Sequence, residues 1–99
     1  MIRHVVSWGF LEKDPALKAE HAAFVSEQLL SLIPSIPEIA SMTFGANQLG
    51  IDGNWDLVMM ADFADETALH TYLEHPDHLA VVAKIKPLFE KRAAVDFVY

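Results

Sequence analysis

The chain has 99 residues, of which 53% are hydrophobic, and its fourteen acids and seven bases give a formal net charge of −7. This size predicts one domain over residues 1–99, and the hydrophobic content excludes a disordered chain. The acidic balance disfavours nucleic-acid binding, no apolar stretch is long enough to span a membrane, and the lack of cysteine excludes disulfides and thiolate chemistry. We therefore expect a cytoplasmic protein with neither nucleic acid nor a membrane among its partners.

The first half of the chain predicts a strand, a helix and a second strand. Residues 2–10 alternate between an apolar face that includes His4 and a mixed face, as in a half-buried strand. Pro15, preceded by an aspartate that can cap free N–H groups, begins a helix that is predicted to run to about Ile33. Residues 39–46 alternate again and predict the second strand.

The second half predicts a third strand, two shorter helices and a last strand. Residues 56–63 are apolar on both faces, which is typical of a strand covered on both sides. A short helix capped by Asp65 is predicted to end at Glu74, and a further helix over residues 77–89 follows a proline break. Residues 93–99 predict the last strand, which is again apolar on both faces.

The order β-α-β-β-α-β predicts an α+β, ferredoxin-like fold with a four-stranded antiparallel sheet and helices on one face. The other sheet face is also partly apolar, and we assign Val5, Val58, Met60 and Val98 to it. Because an exposed apolar patch of this kind usually marks an interface, the pattern predicts a homodimer whose two sheets pack face to face.

Two histidines and a tyrosine are the candidates for chemistry. His4 lies on the strand face assigned to the helices, Tyr72 on the short helix, and His78 at the start of the next helix. A histidine can move a proton near neutral pH, and a tyrosine can polarise a carbonyl. The alternative is that these side chains only brace the core through satisfied hydrogen bonds. A zinc site on His75 and His78 is disfavoured because no third ligand is evident.

The basic residues are unevenly distributed along the chain. No lysine or arginine occurs between Lys18 and Lys84, and four bases then fall within residues 84–92. We interpret this as a solvated acidic surface with a basic end. The alternative is a site for an anionic ligand around Lys84 and Lys86.

The sequence resembles the stress-responsive A/B-barrel domain family, also called Dabb, over nearly its whole length. The matching features are an opening strand with a histidine, a proline at the end of the first helix, a Y-x-x-H-P-x-H segment and the closing strand. They comprise Met1 to Val6, Ile33-Pro34, Gly45, Phe63, Tyr72, His75 to His78 and Val95 to Phe97. The resemblance implies a homodimer whose two sheets form a dimeric α/β barrel, and most members of the family have no assigned reaction.

One plant member of this family is a polyketide cyclase that performs an intramolecular aldol condensation without a cofactor. By resemblance, His78 is a general base, Tyr72 hydrogen-bonds the developing oxyanion, and His4 supports the pocket. A further pocket histidine of that enzyme falls at about Leu57, and aromatic residues fall on the first helix at about Ala23 and Ser26. The pocket therefore differs, and polyketide cyclisation is not carried over.

The resemblance also implies a pocket and a metal site. We expect a pocket between the sheet and the helices for a small apolar or carbonyl ligand, with Val6, Phe24, Met59, His75 and Leu79 in its wall. Plant relatives can hold magnesium on main-chain carbonyls, and the matching positions are about Leu30, Ile33 and Ile36.

Four functions remain open from the sequence. The first is a Dabb protein of unassigned activity that binds a small ligand without a cofactor. The second is a cofactor-independent cyclase or lyase that uses His78 and Tyr72. The third is a non-enzymatic stress or assembly protein, and the fourth is a small monooxygenase of the dimeric barrel group.

Overall fold

The computed structural model describes residues 1–99 as a four-stranded antiparallel sheet with three helices on one face. The strands are β1 (Ile2–Phe10), β2 (Ile39–Ala46), β3 (Leu57–Phe63) and β4 (Phe89–Val98). The helices are α1 (Pro15–Leu30), α2 (Glu66–Glu74) and α3 (Pro76–Ile85), and a 3-10 turn (Lys86–Leu88) leads into β4. The sheet order is β2-β3-β1-β4, which confirms the ferredoxin-like α+β fold. None of the helices is long and apolar enough to cross a bilayer.

The first helix begins where the sequence predicts and ends earlier. The Asp14 side chain accepts a hydrogen bond from the Leu17 N–H at 3.1 Å, so the predicted cap forms. The helix ends at Leu30 instead of about Ile33, and residues 31–35 form turns that bring the chain to β2. Proline at position 34 disfavours helical geometry in the residue before it, which accounts for the irregular exit.

The last helix and the last strand differ more from the prediction. Helix α3 ends at Ile85, because Pro87 lacks an N–H and disfavours continued α-helix. Strand β4 then begins at Phe89 and not at Ala93. Phe89 pairs with Phe10 of β1, and its ring stacks on Trp8 at a centroid distance of 5.3 Å.

The hydrophobic core lies between the sheet and the helices. The even-numbered residues of β1 and the odd-numbered residues of β3 face it, as their alternation predicts. Its fully buried large side chains come from every layer, namely Val6, Phe10, Val25, Leu29, Ile36, Met59, Phe63 and Tyr72. The helix-facing sides of β1 and β3 are therefore buried against the helices, whereas residues 90–98 of the edge strand β4 are exposed.

The opposite face of the sheet is uncovered and partly apolar, and we call it the open sheet face. It carries Val5, Val58, Met60, Val95 and Phe97, which follow one another across β3, β1 and β4 in register. The assignment of Val98 to this face was wrong. Val98 pairs with Ile2 on the helix-facing side, because the register with β1 decides which side of β4 faces the helices.

Candidate ligand cavity and its polar groups

A cavity of about 230 Å³ lies between the sheet and all three helices, and nine of the twelve residues in its wall are hydrophobic. The wall comprises His4, Val6, Trp8, Leu29, Met59, Tyr72, Leu73, His78, Leu79, Val82, Ile85 and Arg92. It brings together the three residues that the sequence singles out for chemistry. Two larger hollows near the β2–β3 connection contain neither a histidine nor a tyrosine.

The His78 ring is oriented by the end of helix α2. Its Nδ1 lies 3.1 Å from the main-chain carbonyl oxygen of Leu73. A carbonyl oxygen only accepts hydrogen bonds, so we assign the ring proton to Nδ1, which donates. The Nε2 atom of the neutral ring then carries the free lone pair. Burial lowers the pKa of His78, and the nearby charges of His4 and Arg92 act in the same direction.

The Tyr72 hydroxyl has no hydrogen-bond partner within the chain. The residue is 1% exposed, and its ring packs against Phe63 and against His78, with a centroid distance of 4.3 Å to the imidazole. Burial raises the pKa of Tyr72, so the hydroxyl stays protonated at neutral pH. Because Tyr72 also lines the cavity, its O–H is a donor that a ligand oxygen can use.

A carboxylate that the sequence did not single out holds His4. His4 is 3% exposed, and its Nδ1 lies 2.5 Å from Oδ1 of Asp96, its direct partner in the register between β1 and β4. The carboxylate accepts, so Nδ1 donates and Nε2 is the second nitrogen that remains for the cavity. The sequence does show Asp96 as an acid between two apolar residues of the last strand. That pattern points to His4 only when the register between β1 and β4 is known.

Three further wall residues lie where the sequence places them, and two do not. Val6, Met59 and Leu79 are in the wall. Phe24 is 40% exposed, because the buried stripe of α1 runs through Ala22, Val25 and Leu29 and turns Phe24 away from the cavity. His75 also lies outside the wall: its Nδ1 accepts a hydrogen bond from the Asp77 N–H at 3.1 Å and caps α3.

The carbonyls suggested for magnesium lie at the end of α1 and in the turns after it. The Leu30 oxygen accepts a hydrogen bond from the Ile33 N–H at 3.2 Å, and the Ile36 oxygen accepts one from the Ile39 N–H at 3.1 Å. No group of three or more histidine, aspartate or glutamate side chains is placed to hold a metal ion. The magnesium site on these carbonyls stays a prediction.

The chain is a ferredoxin-like protein in which two histidines and a tyrosine line a cavity between the sheet and the helices. The chain belongs to the stress responsive A/B barrel domain (Dabb) family, whose model matches residues 2–99. No curated protein matches the chain at a significant level.

Similar solved structures include two proteins of unknown function. A dimeric ferredoxin-like protein from Thermobifida fusca is 33% identical, with 99% of this chain and 90% of that chain covered and a TM-score of 0.81. A dimeric protein of ferredoxin-like fold from Bacteroides fragilis is 22% identical, with coverages of 99% and 95% and a TM-score of 0.86. A hydroxynitrile lyase from Passiflora edulis is 13% identical, with coverages of 99% and 92% and a TM-score of 0.81, a likeness of fold.

Proposed function

We propose that this protein binds a small apolar carbonyl compound in the cavity and catalyses proton transfer next to the carbonyl without a cofactor. His78 acts as the general base and Tyr72 as the donor to the developing oxyanion. The observation that carries this proposal is the pairing of a neutral His78, whose Nε2 is free, with a tyrosine hydroxyl that has no partner in the chain. Both groups line the same apolar cavity.

The proposed reaction begins with removal of a proton from the carbon next to the carbonyl. Nε2 of His78 takes this proton, and the electron pair of the C–H bond moves into the carbonyl to give an enolate. The Tyr72 O–H donates a hydrogen bond to the enolate oxygen, and the apolar wall strengthens this bond because it lowers the local dielectric constant. In a cyclase the enolate carbon then attacks a second carbonyl, and His78 returns its proton to the new alkoxide. In a lyase a leaving group departs with its bonding electrons from the neighbouring carbon as the C=C bond forms, and His78 gives the proton to that leaving group.

His4 is proposed to position the ligand. Its Nδ1 donates to Asp96, which fixes the ring in place in the same way that a carboxylate orients the histidine of a catalytic triad. The His4 ring is edge-on to the Tyr72 ring at a centroid distance of 6.3 Å. His4 therefore lies beside Tyr72 in the cavity wall. This arrangement agrees with the family resemblance, which implies that His4 supports the pocket.

The size of the cavity favours a small ligand. Its volume of about 230 Å³ is below the range of about 300–1,000 Å³ that is typical of sites for drug-sized molecules. A large ring substrate, as the monooxygenase hypothesis requires, fits this volume poorly. A small ketone or aldehyde with an apolar body fits it well.

The activity can be tested without knowing the natural substrate. We expect the protein to accelerate hydrogen–deuterium exchange next to the carbonyl of cyclohexanone or acetophenone in D₂O, followed by proton NMR. Removal of a general base or of an oxyanion donor typically costs about 100-fold or more. The variants His78→Ala and Tyr72→Phe should each lose that much, whereas His70→Ala, on the exposed side of α2, should keep the wild-type rate. Exchange at the uncatalysed rate in the wild type, or full activity in His78→Ala, would contradict the proposal.

We also propose that two copies pack through the open sheet face to form a homodimer with a barrel of two sheets. The apolar side chains of that face support this proposal, as does the description of the two relatives as dimeric. Light scattering should show that Val95→Lys, on the open sheet face, shifts the protein towards a monomer. Val98→Lys on the other side of β4 is the matched control, and it should leave the dimer intact. A wild-type protein that is monomeric at high concentration would exclude this interface.

A further inference from the structure

One cation in the cavity wall has no acidic partner. Arg92 lies on β4, opposite Trp8 in the register, and so its side chain belongs to the helix-facing side of the sheet. It is the only lysine or arginine among the twelve wall residues. The ion pairs that lysine and arginine form in this chain lie elsewhere, between Arg3 and Asp62, Lys13 and Glu90, and Lys18 and Asp56.

The nearest acid on the same side of β4 is already in use. Asp96 lies four residues along the strand from Arg92, and its carboxylate accepts a hydrogen bond from His4. Positions 92, 94 and 96 alternate onto one side, and the residue between the two charges is the small Ala94. Arg92 is therefore the one lysine or arginine that the cavity wall offers to an anion, in a chain whose net charge is −7.

The other free bases do not offer such a site. Lys84 and Lys86, around which the sequence suggested an anion patch, are both exposed and lie outside the cavity wall. A surface lysine in water gains little from an anion, because solvent and salt screen the charge. Arg92 is also exposed, but unlike the two lysines it borders the cavity, and its planar guanidinium fork can hold a carboxylate through two hydrogen bonds.

We propose that Arg92 binds a carboxylate group of the ligand, so that the substrate is a small oxo acid. This inference rests on the proposed function, because it assigns the carbonyl end to Tyr72 and His78 and the acid end to Arg92. The apolar wall between these groups takes the carbon chain of the ligand. The guanidinium also acts on the catalytic groups, because its positive charge favours the neutral form of His78.

A pair of probes that differ only in charge tests the proposal. Isothermal titration at about pH 7.5 should show that 4-oxopentanoate binds at least about tenfold more tightly than its neutral methyl ester, the effect expected of one charge-assisted hydrogen bond. Arg92→Gln should abolish this preference by weakening the binding of the acid, while the binding of the ester stays within about twofold. Lys86→Gln, which removes an exposed base, is the control and should retain the preference.

The titration, compared with the deuterium-exchange assay, separates the role of Arg92 from the proposed catalysis. Selective binding of the acid without deuterium exchange would uphold the role of Arg92 and refute the proton-transfer function. Equal binding of acid and ester, or no binding of either, would overturn the role of Arg92. The variant Arg92→Lys keeps the charge but loses the fork, so it should retain only part of the preference, and full retention would argue against a two-bond contact.

Discussion

Replacement of Tyr72 by phenylalanine should abolish the proposed activity and at the same time stabilise the protein. Tyr72 is buried, and its hydroxyl has no hydrogen-bond partner in the chain. Folding therefore removes most of the residue from water and gives its hydroxyl no hydrogen-bond partner in the chain. Phenylalanine keeps the ring that packs against Phe63 and His78, and it removes only the oxygen.

The size of the effect follows from the cost of an unsatisfied polar group. Leaving a buried donor or acceptor unpaired costs about 1–3 kcal/mol. The hydroxyl borders a cavity, where a water molecule would offset part of this cost, so we take the lower end, about 1 kcal/mol. For a domain of this size, 1 kcal/mol corresponds to a rise in melting temperature of about 4–8 °C.

Thermal unfolding followed by circular dichroism, at one protein concentration for all variants, measures this rise. Tyr99→Phe is the matched control, because the Tyr99 hydroxyl accepts a hydrogen bond from Arg3 at 3.4 Å, and its removal should give no gain in stability. A melting temperature that falls by several degrees in Tyr72→Phe would show that the hydroxyl has a structural partner. That result would refute our reasoning and favour the hypothesis of a cluster that only braces the fold.

Two further predictions concern the histidine and the core. Burial lowers the pKa of His78, so the imidazole stays neutral and able to accept a proton above about pH 6.5. The rate of deuterium exchange into the ketone should therefore stay nearly constant above this pH and fall in acid. Below that pH the unfolded chain binds a proton at His78 more readily than the folded chain, so the free energy of unfolding should decrease as the pH falls. Urea unfolding at about pH 7.5 and 5.5 measures this decrease, which should be smaller in His78→Asn. Met59→Ala should lower the free energy of unfolding in urea by about 2–5 kcal/mol, because Met59 is fully buried, and a loss below 1 kcal/mol would mean that its site collapses around the smaller side chain.

The sequence predicted best those elements whose two faces differ in polarity. In β1 the apolar face alternates with Arg3 and Ser7, so both its bounds and its direction follow from the pattern alone. Tyr72 and His78 both lie in the cavity wall, and each sits on a short helix. Six of the twelve wall residues are ones that the sequence predicts for the site.

The sequence could not settle features that depend on pairing between distant segments. Both sides of β4 are apolar, so its alternation did not show which side faces the helices, and Val98 was assigned to the wrong one. The partner of His4 was also missed, because Asp96 lies 92 residues away along the chain and meets His4 only through the pairing of β1 with β4. Phe24 was misplaced because α1 carries apolar residues around much of its surface.

The position of Arg92 depends on one irregularity of the sheet. Phe89 and Arg92 both lie on the helix-facing side, since Phe89 pairs with Phe10 and Arg92 pairs with Trp8. Residues three apart in a regular strand point to opposite sides, so the two can share a side only because the register shifts between Gly9 and Phe10. A regular strand that began at Phe89 would direct Arg92 to the open sheet face and leave the cavity without a cation. The bulge therefore both places an aromatic ring in the core and sets the charge of the cavity, which is why the preference for an acidic ligand could not have been predicted from alternation alone.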